Sequence, residues 1–139
     1  MIHSVNFRCI AHATEDLEKV RRAMEFVTGR NDFEIKREKG YYGNEIIIIE
    51  LVIKRKKEIE NFWRRMKEFG VVEEILPILD EIVDSHGNLY LRFDKQEAYL
   101  GRLALATHGD VIALRAKIKS YPMKKKIALE NFKKFIQRI

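Results

Sequence analysis

Residues 89–94 ("LYLRFD") carry side chains that could bind a polyanion. Apolar positions alternate with Tyr90 and Arg92, so a β-strand would place this ring and this guanidinium on the face opposite the apolar one. Arginine neutralises phosphate groups, and a tyrosine ring can stack on an unpaired base. The pair therefore predicts contact with single-stranded nucleic acid.

A second stretch, residues 111–119 ("VIALRAKIK"), alternates in the same way. Its outward positions are Arg115, Lys117 and Lys119. If the strands are neighbours, Arg8 of the first predicted strand and Arg102 of a predicted strand at 102–106 join them in a basic, partly aromatic platform. The alternative is an ordinary solvated sheet face, because exposed strand positions are polar in any two-layer fold.

The positive charge is concentrated at the end of the chain. Residues 115–139 hold nine Lys or Arg and one acid, Glu130, so they carry +8, whereas the whole chain carries +6 and the remainder therefore −2. This asymmetry suggests a polyanion, with nucleic acid the first candidate and a membrane surface the second. Lys124, Lys125 and Lys126 open a predicted helix and extend the positive field, and Lys95 is predicted as a surface phosphate contact. The alternative is that the protein is simply basic.

Residues typical of enzymes are sparse. None of the four histidines lies in an H-E-x-x-H motif, and the single cysteine, Cys9, excludes a thiolate zinc site and falls on a predicted core face. The turn "GYYGN" lacks the Lys-Ser/Thr of a phosphate-binding loop, and Asp80, Glu81 and Asp84 are interpreted as a solvated helix face. We therefore predict a non-enzymatic role without cofactor or metal, with weak phosphoryl chemistry a distant alternative.

Hydrophobic periodicity predicts the elements that must position these residues. The predicted strands are residues 2–13, 33–39, 45–54, 89–94, 102–106 and 111–119. The predicted helices are a first one capped by Thr14 and ending at Gly29, then residues 55–69, 72–83 with a bend at Pro77, 95–100 capped by Asp94, and 124–139. The strand at 45–54 is apolar on both faces and is placed centrally, and residues 102–106 are paired with 111–119 as a hairpin through "THGD".

The order of these elements predicts the fold class. Helices alternate with strands, but two connections are short turns, so the sheet must be mixed or antiparallel. We predict an α+β two-layer sandwich with helices mainly on one face, formed by residues 1–139 as a single domain.

Composition indicates the class of protein and the cellular environment that we expect for it. Hydrophobic residues make up 46% and charged residues 35% of the 139 residues, which is typical of a globular chain. Lys, Arg, Glu and Ile are abundant, as they are in thermophile proteins. A lone cysteine fits a reducing cytoplasm, and the N-terminus lacks the layout of a signal peptide. The longest apolar run, "IIIIELVI", is too short to span a bilayer.

Several segments resemble one archaeal family, described as predicted exosome subunits or RNA-binding proteins. They are "IHSVNFRCIAHATEDLEKVRRAM", "NEIIIIE", "LYLRFDKQEAYLG" and "IKSYP", in order along nearly the whole chain. The most specific marks are "HATED" (12–16), "GYYGN" (40–44) and "RFDKQ" (92–96) followed by Gly101. The resemblance implies a fold like that of the large-subunit ribosomal protein that binds 5S rRNA, together with RNA binding and a place beside the RNA-degrading exosome.

We therefore expect a non-catalytic RNA-binding domain that uses a basic sheet face and a basic C-terminal segment. The expected RNA contacts are Arg8, Tyr90, Arg92, Lys95, Arg102, Arg115, Lys117, Lys119, Lys124, Lys125 and Lys126. The alternative is a protein–protein interaction module that docks on an exosome or ribosome partner through the same face. A homo-oligomer is compatible with both.

Overall fold

The computed structural model describes all residues, 1–139. Its strands are β1 (Ile2–His12), β2 (Glu34–Lys39), β3 (Glu45–Ile53), β4 (Asn88–Asp94) and β5 (Val111–Ile118). Its α-helices are α1 (Leu17–Thr28), α2 (Lys56–Glu68), α3 (Val71–Ile75), α4 (Leu79–Ile82), α5 (Lys95–Tyr99) and α6 (Lys125–Arg138), and a 3-10 turn (Leu76–Ile78) joins α3 to α4. The bend predicted at Pro77 is confirmed by this turn.

The five strands form an antiparallel open sheet in the order β2-β3-β1-β5-β4. The α+β class with an antiparallel sheet is therefore confirmed. The central strand is β1 rather than β3, which lies second and leaves Val52 exposed. A run that is apolar on both faces predicts a strand in the interior of the sheet, and β3 is such a strand. The run does not show which of the interior strands is the central one.

Alternation along the strands separates a buried face from an open one. In β4, Leu89, Leu91 and Phe93 are buried whereas Tyr90 and Arg92 are exposed. In β5 the buried positions are Ile112, Leu114, Ala116 and Ile118, as predicted. The open face therefore carries the polar residues that the sequence placed there.

The predicted strand at 102–106 and its hairpin with β5 are wrong. The only ladder contact of this segment is an isolated antiparallel bridge between Leu105 and Phe93 of β4. Two backbone hydrogen bonds flank the bridge, from Asp94 N to Ala104 O at 2.8 Å and from Ala106 N to Arg92 O at 2.8 Å. Alternating apolar residues predict an extended, half-buried segment, but they do not identify its partner.

The chain divides into two compact units, and each draws on several segments. The first unit comprises Met1–Asn6, Val52–Leu91 and Arg115–Ile139. Its core includes Trp63 of α2, which makes edge-to-face contacts with Phe62 at 5.3 Å and with Phe132 of α6 at 5.1 Å between ring centroids. Burying these rings explains why α2 and α6 carry apolar stripes.

The second unit comprises Phe7–Leu51 and Arg92–Leu114 and contains α1, α5 and the β2–β3 hairpin. Asp16, not the predicted Thr14, caps α1, since its side chain accepts a hydrogen bond from Glu18 N at 3.0 Å. Thr14 and Asp16 are both suitable capping residues in "HATED", and the helix begins after the second of them. All residues of β2 are exposed, and Tyr41 and Tyr42 stand almost fully exposed at the hairpin tip.

The single-domain organisation stays a prediction beside these two units. No helix of the protein is both long enough and apolar enough to cross a membrane.

Candidate nucleic-acid interface

In the first unit, Tyr90 lies on the open face with 47% of its surface exposed. Its phenol donates a hydrogen bond to Asp84 Oδ2 at 3.2 Å, which fixes the orientation of the ring. Partial burial raises the pKa of Tyr90, the carboxylate of Asp84 adds to this rise, and the nearby guanidinium of Arg115 opposes it. An exposed ring and an exposed cation, Tyr90 and Arg115, are therefore carried by the neighbouring strands β4 and β5.

The turn at 84–88 holds Asp84 in place. Asp84 Oδ1 accepts hydrogen bonds from the backbone N–H groups of His86 and Asn88, both at 2.9 Å. Burial acts to raise the pKa of Asp84, but these bonds, the Asn88 amide and the Tyr90 hydroxyl outweigh it and keep the pKa below its usual range. The acid thus serves as an internal anchor of the turn.

The outward basic residues of β5 differ in whether their charged groups already have a partner within the protein. Arg115 is exposed and has no carboxylate within salt-bridge distance. Lys117 is half-buried, and its ammonium donates to the backbone carbonyl of His86. Lys119 follows β5 and is exposed. Arg115 and Lys119 are thus the cations of this edge that are available to an anion.

The start of α6 adds three lysines, as predicted. Lys124 and Lys126 are exposed, whereas Lys125 reaches to 3.6 Å from Asp80 Oδ1. No side chain caps this helix N-terminus. Cations at this end oppose the helix dipole, so the sequence places positive charge where the fold gains nothing from it.

The sequence reasoning missed one residue of the first unit, Tyr121. It lies between β5 and α6 and is 98% exposed. The segment "SYPMKKK" could have revealed it, because an aromatic residue next to Pro122 and ahead of three lysines is neither a strand position nor a helix position.

The second unit holds three other predicted contacts. Arg8 of β1 is exposed, and Arg92 of β4 is exposed with its Nη1 donating to Thr107 O at 3.0 Å. Arg102 is exposed too, but it lies in a loop and pairs with Glu97 Oε2 at 2.5 Å. Its predicted position in a platform strand is therefore wrong, because the segment after Gly101 is not part of the sheet.

Lys95, predicted as a surface phosphate contact, is buried, with 3% of its surface exposed. Its ammonium lies 2.8 Å from Glu15 Oε2 and donates to Ile10 O at 3.0 Å. Burial acts to raise the pKa of Glu15, but the hydrogen bonds from Lys95 and from His12 N lower it below its usual value. Lys95 is thus an internal ion-pair partner, and its predicted surface role is wrong.

A group of possible cation ligands adjoins this pair. One ligand atom each from His12, Glu15 and Asp110 lie within 4.8 Å of one another. The Lys95 ammonium lies 3.7 Å from Asp110 Oδ1 and already supplies a positive charge between the two carboxylates. Any metal ion here would have to compete with it.

Cys9 is buried in the second unit, as predicted. Burial raises the pKa of its thiol to about 12, with Lys95 acting weakly in the opposite direction. The thiolate is therefore absent at neutral pH, and the thiol is a core group rather than a nucleophile.

Comparison with known proteins identifies the family to which this chain is similar. A family model described as RNA binding matches residues 4–118. An RNA-binding protein of Pyrococcus abyssi is 33% identical over 144 residues, covering 97% of this chain and 94% of that protein. Among solved structures, a protein of Archaeoglobus fulgidus aligns with a TM-score of 0.85 at 33% identity over 97% of this chain and 99% of that one. A protein of Methanothermobacter thermautotrophicus aligns with a TM-score of 0.84 at 33% identity over 98% of each chain.

Proposed function

The chain belongs to the RNA-binding family, and from this premise we propose that its first unit binds RNA without catalysing a reaction. The binding residues, which we name the basic surface, are Tyr90, Arg115, Lys119, Lys124 and Lys126, with the internally engaged Lys117 and Lys125 adding positive charge beside them. The observation that carries the proposal is that the exposed, hydrogen-bonded ring of Tyr90 and the exposed, unpaired guanidinium of Arg115 belong to neighbouring strands of the sheet.

The charges of the basic surface fit the phosphate backbone. Arg115, Lys119, Lys124 and Lys126 are exposed and have no carboxylate within 4.0 Å, so their charges are not neutralised internally. Each phosphate that such a cation neutralises releases condensed counterions, which makes binding salt-dependent. Arg8 and Arg92 of the second unit are further proposed phosphate contacts.

Tyr90 supplies a different kind of contact. Its hydrogen bond to Asp84 holds the ring upright on the sheet, and a fixed ring loses little freedom when a base stacks on it. Stacking of one base on an aromatic side chain is worth about 1–3 kcal/mol and tolerates any sequence. We therefore propose that arginine and lysine hold the backbone while Tyr90 holds a base.

Binding of labelled single-stranded and double-stranded RNA and of DNA, measured by fluorescence anisotropy over a range of salt concentrations, tests this function. We expect affinity to fall as salt rises, and Arg115→Gln to reduce the slope of log affinity against log salt by about 0.7 on single strands. Arg37→Gln is the matched control, because Arg37 is an exposed strand arginine paired with Glu45 at 2.7 Å. Affinity that is absent, or independent of salt, would contradict the proposal.

A second candidate function is docking on a protein partner of RNA metabolism, such as the exosome or ribosome implied by the family resemblance. The tip of the β2–β3 hairpin favours it. Tyr41 and Tyr42 are almost fully exposed and contact each other edge-to-face at 4.9 Å, above a stem of mixed charge. Exposed tyrosines without a positive field suit a protein pocket better than a phosphate chain. Loss of binding to purified exosome subunits in a Tyr41→Ala, Tyr42→Ala double variant would support this candidate.

A further inference from the structure

The loop between β5 and α6 presents Tyr121 in a fixed position. Ser120 Oγ donates to Pro122 O at 2.7 Å and accepts from Lys124 N at 3.4 Å, which closes the loop across its tip. At its start, Lys119 O accepts from Asn131 Nδ2 at 2.8 Å. An aromatic ring that is 98% exposed is therefore held by a loop whose two ends are tied by hydrogen bonds.

The charges around this ring are all of one sign. Lys119 and Lys124 lie two residues before and three residues after Tyr121, and both are exposed without a carboxylate within 4.0 Å. The other fully exposed tyrosines, at the hairpin tip, sit above a stem in which Glu45 pairs with Arg37. Tyr121 thus combines full exposure with a free lysine on each side along the chain, whereas the hairpin tyrosines have such a lysine, Lys39, only before them.

The loop also adjoins the turn that holds Tyr90. Ile118 N donates to Gly87 O at 2.8 Å, and a Cβ at Gly87 would lie 3.0 Å from the Met123 sulfur, so the turn and the loop are in close contact. Asp84 in the same turn anchors the Tyr90 hydroxyl. The Tyr90 hydroxyl and the loop that carries Tyr121 therefore both contact the 84–88 turn within the first unit.

We propose that Tyr121 is a second base-stacking residue, and that Lys119 and Lys124 hold the phosphates on either side of the stacked nucleotide. The inference rests on the proposed RNA-binding function and specifies its ligand as single-stranded RNA. A base in a duplex already has neighbours on both faces, whereas an unpaired base offers a free face to each ring. A loop whose backbone is already tied by hydrogen bonds also reduces the entropy lost on binding.

Tyrosine-to-tryptophan substitution gives a direct test. In Tyr121→Trp the new indole is exposed, whereas the native Trp63 is fully buried and provides a constant background. Adding single-stranded RNA is expected to quench the new emission, because a stacked base contacts the indole face. Tyr42→Trp at the hairpin tip is the matched control and is expected to show no quenching.

Affinity measurements complete the test. Tyr121→Ala is expected to weaken binding of single-stranded RNA roughly 5- to 150-fold, which corresponds to the stacking range of about 1–3 kcal/mol. Tyr121→Phe keeps the ring and is expected to bind like the native protein, and the effect on duplex RNA is expected to be small. Melting curves of Tyr121→Ala should match those of the native protein, because the ring covers no core.

The outcomes separate this inference from the function on which it rests. If native protein binds RNA with a salt slope that Arg115→Gln reduces, but Tyr121→Ala binds equally well and Tyr121→Trp is not quenched, the stacking role is overturned and the function stands. Such a ring would then suit a protein partner. If no variant and no native protein binds RNA, both proposals fail together. If Tyr121→Ala lost the same affinity for duplex RNA as for single-stranded RNA, the stacking role would also be overturned.

Discussion

Replacing Lys95 by methionine is expected to destabilise the protein while leaving RNA affinity unchanged. The substitution keeps the length and most of the apolar body of the side chain but removes the ammonium. That ammonium makes an ion pair with Glu15 at 2.8 Å and a hydrogen bond to Ile10 O at 3.0 Å, and only 3% of the Lys95 surface is exposed. Both partners would be left without their donor.

The expected loss follows from this burial. Removing one partner of a buried ion pair costs about 3–5 kcal/mol. The Glu15 side chain is 21% exposed, so water can partly replace the ammonium, and we expect the lower end, about 3 kcal/mol. Unfolding entropy of about 2.1 cal/mol/K per residue gives about 0.3 kcal/mol/K for 139 residues, so the Tm should fall by about 10 °C.

Thermal denaturation followed by circular dichroism, at neutral and acidic pH, measures this effect. The folded pKa of Glu15 lies below the usual value of a glutamate, so its contribution to the free energy of unfolding is present above that usual value. It is lost as the pH falls through the folded pKa. The Tm difference between native protein and Lys95→Met should therefore be largest near pH 7 and should shrink once the pH drops below about 4.5.

Lys36→Met is the matched control, since Lys36 also faces two acids, Glu50 at 3.5 Å and Glu34 at 3.8 Å, but is half exposed. Exposed pairs contribute about 0–1 kcal/mol, so the Tm of this control should barely change. A Tm of Lys95→Met equal to that of Lys36→Met would refute the buried ion pair. A salt slope reduced by about 0.7 at unchanged Tm would restore Lys95 as a surface phosphate contact.

Two further predictions concern the basic surface. Changing Lys124, Lys125 and Lys126 together to Gln should lower RNA affinity but leave the Tm equal or slightly higher. The Tm should not fall because cations oppose the helix dipole at an N-terminus and because the Lys125–Asp80 pair is exposed. Unchanged RNA affinity at low salt would remove these lysines from the site. Tyr90→Ala should cost about 1–3 kcal/mol of binding on single-stranded RNA with a nearly unchanged salt slope and little effect on duplexes. Tyr90→Phe keeps the ring but lacks the hydrogen bond to Asp84, so it should lose less affinity than Tyr90→Ala; a lower Tm with intact RNA affinity would instead indicate that the ring only covers apolar surface.

Elements with a strong period could be predicted closely from the sequence. The alternation in 89–94 and 111–119 gave both the strands and their buried faces, because a two-residue period leaves only one way to bury every apolar side chain. Helix α2 ends within a residue of its predicted bounds, since its apolar stripe and the glycine at position 70 fix both its face and its end.

Pairing and capping could not be predicted with the same certainty. Residues 102–106 have the pattern of a half-buried strand, yet their partner is β4 rather than β5, because the turn after α5 returns the chain to the strand it has just left. Thr14 and Asp16 are both good caps in isolation. The local pattern therefore does not decide between them, and the structure shows that Asp16 is the cap.

Lys95 shows why a single residue can be misjudged. It opens a helix of five residues, which is too short for an apolar period to assign a buried side. Its partners, Glu15 and Ile10, are 80 and 85 positions distant along the chain. A lysine is rarely buried unless paired, so burial here required knowledge of a tertiary contact that no local pattern contains.

Most cations of the basic surface are unpaired, in contrast to several cations of the second unit. In the second unit, Arg37, Lys95 and Arg102 each have a carboxylate partner, and Arg92 is bound to a backbone carbonyl. In the first unit, four cations of the basic surface are exposed and have no carboxylate within 4.0 Å: Arg115, Lys119, Lys124 and Lys126. Acids are available in that unit, but Asp84 is held by its own turn and by Tyr90. Unpaired like charges on one surface repel each other, so the fold gains nothing from this arrangement, whereas a chain of phosphates would neutralise all four.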